Sequence, residues 1–183
     1  MPARLLILLL AVVLVACGGA ATTGTVEWRD LDVTLPAGWE VYQARSDLLA
    51  ASDGGFADLQ EDGSVPDQPE DPDDNDVVAL QFTWEPRTTA ADWRALVEEA
   101  GGTVESDEST TVGGVPATSL VFSWVTNNVP TRERVVLVPS RELVLLFQPV
   151  PVQGQTTGPQ VYLDKAEQFD AVLGSIRFGA PVE

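Results

Sequence analysis

Two short runs set the terms for any fold this chain can adopt. Arg134 to Val138 and Leu143 to Phe147 are almost continuously apolar and are separated only by Pro139-Ser140-Arg141-Glu142, a turn sequence. Half-exposed strands alternate apolar with polar residues, whereas strands covered on both faces do not. The pair therefore predicts two central strands in hairpin with material packed on each side of them.

The rest of the pattern supplies that material. Leu31, Val33 and Leu35 alternate with polar residues before Pro36-Ala37-Gly38, and Trp39 and Val41 alternate after it, which predicts two short strands joined as a hairpin. Val78, Leu80, Phe82 and Trp84 place four large side chains on one face of a further strand. A helix is predicted to begin at Thr89, with Asp92 near its positive end, Trp93, Leu96, Val97 and Ala100 at helical spacing, and Gly101-Gly102 as its stop. Strands then follow over Thr103 to Ser106, on either side of Val112-Gly113-Gly114-Val115, and over Thr118 to Val125, with a turn at Asn127-Asn128. Tyr162, Ala166, Phe169, Leu173 and Ile176 mark a last amphipathic helix that ends near Gly174, with Ile176-Arg177-Phe178 after it.

Composition bounds the function. The chain has 183 residues and a formal charge of -18, so nucleic acid is not an expected partner and anionic lipid headgroups would repel the domain. Ten acids and no base lie between Asp53 and Asp76, interleaved with Pro66, Pro69 and Pro72. That stretch carries too little apolar surface to offset its ordering entropy and reads as a solvated insert, residues 53–76.

The start of the chain carries an address. Arg4 precedes an apolar run from Leu5 to Val15, too short to span a bilayer, which leads into Ala16 and Cys17, the only cysteine. Leu14-Val15-Ala16-Cys17 resembles the bacterial lipobox. That resemblance implies removal of residues 1–16 as a signal peptide, acylation of Cys17, and a location at the extracytoplasmic face of the cell membrane. Two or three acyl chains make such anchorage lasting, at about 0.8 kcal/mol per buried methylene. Residues 17–25, small and glycine-containing, are then a flexible tether. About 165 residues remain, enough for one domain without disulfides, here taken as 26–178 with a short tail at 179–183.

Leu35-Pro36-Ala37-Gly38-Trp39 after an early strand, the helix ending in Gly101-Gly102, Val112-Gly113-Gly114-Val115-Pro116-Ala117, the apolar hairpin and the terminal helix running into Ser175-Ile176-Arg177-Phe178 resemble the PsbP-like superfamily, in its bacterial lipoprotein branch of LpqN or DcrB type. The resemblance implies an α+β fold, an antiparallel sheet with helices packed on both sides, and an exported accessory or binding domain. Metal sites of photosynthetic relatives use histidine. This chain has none, so no site residue carries over.

Chemistry is constrained by missing residue types. Without histidine, and with Cys17 consumed by acylation, the common nucleophile and base pairs and the imidazole or thiolate zinc sites are closed. No catalytic residue is nominated and no enzyme is expected. A carboxylate-dependent hydrolase of envelope substrates is the outlying alternative, and Lys165, the one lysine, is read as solvated on the polar side of the last helix. Asp71, Asp73, Asn75 and Asp76 offer alternating oxygen donors suited to calcium, although the glycine and glutamate of an EF-hand loop are replaced by Asp76 and Phe82. Trp84, Trp93 and Trp124 are expected in the core, with Trp28 and Trp39 beside turns. Any pocket is expected between the first hairpin and the acidic insert. The leading expectation is a lipid-anchored domain that binds another envelope protein, and a calcium-responsive binding lipoprotein is the alternative.

Overall fold

The computed structural model describes residues 24–43, 47–52, 71–85, 88–126 and 128–179. The segment read as a signal, Cys17 and most of the acidic insert lie outside them. In chain order the described elements are β1 (Thr25–Trp28), β2 (Leu31–Thr34), β3 (Glu40–Gln43), β4 (Asp47–Ala51), β5 (Val78–Trp84), α1 (Ala90–Glu99), β6 (Thr103–Val112), β7 (Val115–Thr126), β8 (Val129–Val138), β9 (Leu143–Pro149), α2 (Gly158–Ser175) and β10 (Arg177–Phe178). Short 3-10 turns cover Pro72–Asp74 and Pro139–Arg141.

All pairings are antiparallel. Seven strands run in the order β3-β4-β5-β9-β8-β7-β6, and β1-β2-β10 form a separate small sheet. The apolar hairpin is central as its pattern demands. Val136, Val138, Leu145 and Phe147 face one core, while Val135, Leu137 and Val144 face another on the opposite side. α2 and the small sheet close the first side; Phe147 stacks on Phe169 of α2 at 4.6 Å and meets Tyr162 at 5.6 Å. Helix α1 closes the second through buried Val97 and half-buried Trp93 over Leu120 and Phe122. Each fully buried Phe or Leu contributes about 1.5–3 kcal/mol, so both layers carry weight. The molecule is an α+β fold, an antiparallel sheet flanked by helices on both faces.

Local chemistry sets the element ends. Thr89 and Asp92 make a reciprocal capping box at the start of α1, the Thr89 side chain accepting from the Asp92 N–H and Asp92 from the Thr89 N–H at 2.8 Å. Gly113 and Gly114 both take positive φ in the β6–β7 turn, 55° and 80°, which a tight hairpin loop requires. Among the described residues no helix is long and apolar enough to cross a membrane.

Several local expectations are corrected. β2 and β3 do not form a hairpin: both edges of β2 are taken, by β1 and β10, and β3 pairs with β4 in the larger sheet. Between them Trp39 is buried, and the turn from Pro36 to Trp39 redirects the chain. The strand pairing starts at Thr25, opposite Thr34, inside the stretch read as tether. Residues 103–112 form one strand with a bulge between Val104 and Ser106. Lys165 is not solvated; its side chain is 15% exposed and pairs with Asp76 at 3.0 Å.

Of the three tryptophans expected in the core, Trp93 and Trp124 pack against it and Trp84 does not. Trp28 and Trp39 are buried, Trp93 and Trp124 are half-buried, and Trp84 is 39% exposed. Trp84 is in phase with Val78, Leu80 and Phe82, but it stands at the end of β5, where the core layer stops.

Candidate functional site

Of the proposed calcium ligands, the structure shows what each side chain does in the fold. Asp71 accepts from the Asp73 N–H at 3.0 Å and caps the 3-10 turn. The Asp73 carboxylate accepts from the Thr156 N–H at 2.7 Å and from the hydroxyls of Thr156 and Thr157, which holds its pKa below the ordinary 3.8. Asn75 is buried and donates to the Val150 carbonyl at 2.7 Å. Asp76 pairs with Lys165 of α2. The segment is thus pinned to the approach and body of α2, and among the described residues no group of three or more acidic, cysteine or histidine side chains is placed to hold a metal ion.

One acid was missed by the sequence reading. Glu133 is 1% exposed; its Oε1 accepts from Trp124 Nε1 at 2.6 Å and from Thr131 Oγ1 at 2.9 Å, while Oε2 has no partner. Burial pushes its pKa up, against the lowering effect of those two hydrogen bonds. The signal was available, since Glu133 is in phase with Val135 and Leu137 on β8.

The described residues do form a shallow notch, which takes in Leu31 of the first expected hairpin but none of the candidate calcium ligands. It lies where the β1–β2 turn, the β8–β9 turn, the end of β5 and β10 converge, and with a volume of about 10 Å³ it admits roughly one water. Trp28 and Trp84 bracket Arg29, whose guanidinium is 5.9 Å from one ring centre and 4.6 Å from the other. Trp84 Nε1 donates to Glu142 Oε2 at 2.8 Å. Arg141 pairs with Asp30 at 2.9 Å and lies 4.8 Å over the Phe178 ring. Two residues here, Arg29 and Glu142, have φ of 56° and 52°, the left-handed region that side chains other than Gly, Asn and Asp rarely adopt. Each costs about 1 kcal/mol or more, and such strain concentrates at binding sites. Local pattern does not reveal the notch because its lining comes from residues 28–31, 84, 141, 143 and 178.

No family model matches the chain, and no curated protein does. Among solved structures it is similar to the cyanobacterial PsbP, CyanoP, of Synechocystis sp. PCC 6803, at 14% identity over 90% of this chain and 98% of that one, with a TM-score of 0.46. LpqN, involved in cell envelope biogenesis of Mycobacterium tuberculosis, is similar at 14% identity over 82% of this chain and 83% of its own, with a TM-score of 0.43. A Pseudomonas aeruginosa protein of unknown function is similar at 14% identity over 79% of this chain and 98% of its own, with a TM-score of 0.41. At 14% identity and TM-scores of 0.41 to 0.46 these likenesses transfer no role and no residue of the notch to this chain.

Proposed function

We propose that this chain is an exported lipoprotein whose PsbP-like domain is a noncatalytic module binding another envelope protein. The observation that carries the reading is the junction Leu14-Val15-Ala16-Cys17 behind an apolar run of signal-peptide length. Acylated Cys17 holds the domain at the extracytoplasmic face of the cell membrane. The net charge of -18 supports a protein partner over nucleic acid or an anionic lipid surface. The absence of histidine from the sequence supports recognition over catalysis. The notch supports it further, since its exposed Trp84 and Arg29 are residue types enriched among those that dominate protein interfaces.

Two measurements test this. Mass spectrometry of native material should find Cys17 as the first residue, with diacylglycerol on its sulfur; an unmodified thiol or a retained Met1 refutes the anchor. Crosslinking in intact cells should recover a partner that is lost when the domain is unfolded by a core substitution such as Phe147→Asp. Recovery that survives unfolding refutes the binding role.

A further inference from the structure

We propose that β3 is the edge onto which a partner protein adds an extended, basic segment as a further strand. The inference deepens the binding reading above and rests on it. Among the described strands, the larger sheet ends in β3 on one side and in β6 on the other. The outward backbone N–H and C=O groups of an edge strand are a template for another strand, and natural sheets guard such ends with charges and bulges. β6 is guarded in this way. It has the bulge between Val104 and Ser106, and Glu105, Asp107 and Glu108 lie along it. β3 instead pairs with β4 in unbroken register from Glu40 to Gln43 and shows solvent two large side chains, Val41 at 39% exposure and Tyr42 at 59%. Val41 lies opposite Ala50 on the side of the first core, and Tyr42 lies opposite Leu49 on the other side. An added strand therefore meets a contact on each face.

Charge selects the class of partner. At -18 the chain repels an acidic segment or a second copy of itself, and it draws a basic segment over distances longer than a contact. The edge agrees with the whole. The described residues of β3, β4 and β5 contain two acids, Glu40 and Asp47, and no base; Arg45, between β3 and β4, lies outside the described residues. Glu40 opens β3, where a base on the added strand comes within reach of it across the pair. Backbone hydrogen bonds along β3 then supply affinity, while Glu40, Val41 and Tyr42 supply the choice of segment.

The test pans a display library of random twelve-residue peptides against the acylated full-length chain in nanodiscs of neutral phosphatidylcholine. Enriched peptides should be rich in Lys or Arg, should weaken as sodium chloride is raised, and should lose at least about tenfold in affinity with Tyr42→Lys. Tyr42→Phe should keep the binding. Ser109→Lys, the same change of charge on exposed β6, should leave it unaltered, and neither lysine variant should move the thermal midpoint. Backbone N-methylation of the peptide separates strand addition from side-chain contact. Methyl groups on the alternate amides that face β3 should abolish binding, and those on the other alternate set should not. Tolerance of both sets, or equal binding to Tyr42→Lys, overturns the edge site and leaves the wider binding reading standing. Enrichment of neutral or acidic peptides overturns the basic partner. No enrichment at all also overturns the proposal, and crosslinking then decides the wider reading separately. Binding that emerges only when residues 53–70 are deleted assigns the edge to that segment, and Tyr42-dependent dimerisation assigns it to a second copy; either result overturns the proposal.

Discussion

At the scale of single residues, ionisable groups pull in opposite directions as pH changes. Burial holds the Glu133 carboxyl above its ordinary 4.5, so the folded chain binds that proton more tightly than the unfolded one. Well below 4.5 both states are protonated and the group contributes nothing. As pH rises from 4.5 through the raised folded value, stability is lost, and above that value the loss is complete. Glu133→Gln should therefore gain on the parent protein across this window, read as urea midpoints between about pH 4 and pH 8. Asp73 has the reverse sign. Its pKa is lowered by hydrogen bonds from Thr156 and Thr157, so its stabilisation is present above 3.8 and is lost as pH falls through the folded value. Asp73→Asn should lower the neutral part of the same profile and flatten its acid limb. At the notch, Trp84→Phe keeps a ring under Arg29 but removes the hydrogen bond to Glu142, and should cost about 0.5–1.5 kcal/mol in urea unfolding.

Elements differ in how much of their placement is local. Thr89→Ala removes the cap that starts α1 and should cost about 1 kcal/mol, measured by urea denaturation. Gly158→Ala is expected to be worse, about 1–3 kcal/mol, because a Cβ there overlaps the Pro130 carbonyl oxygen where α2 begins against β8. The same division explains what could be read from the sequence. The start of α1, the Gly113-Gly114 turn and the apolar runs of β8 and β9 are written in adjacent residues, and each was legible. β4 was not, since Leu48-Leu49-Ala50-Ala51 has no alternation and its strand state comes from β3 and β5 on either side. The exposure of Trp84 was hidden for a related reason: its phase along β5 is right, and only the extent of the layer above it decides burial. Arg29, Trp84, Arg141 and Phe178 meet through tertiary structure alone, so the notch left no trace in local pattern.

The whole molecule is a strongly acidic body built on one shared wall. Its net charge of -18 disfavours the compact state through self-repulsion, so moderate sodium chloride should raise the thermal midpoint. A midpoint that falls or stays fixed would assign the acids to specific pairing instead of collective repulsion. The two hydrophobic clusters lie on opposite sides of β8 and β9, which supply side chains to both, and each strand has a paired neighbour on either edge. Neither layer can loosen without uncovering the same two strands. When the protein is placed in deuterated water, the amide protons of Val135 to Leu137 and Val144 to Leu146 should be the last to exchange, surrendered only when the entire chain opens.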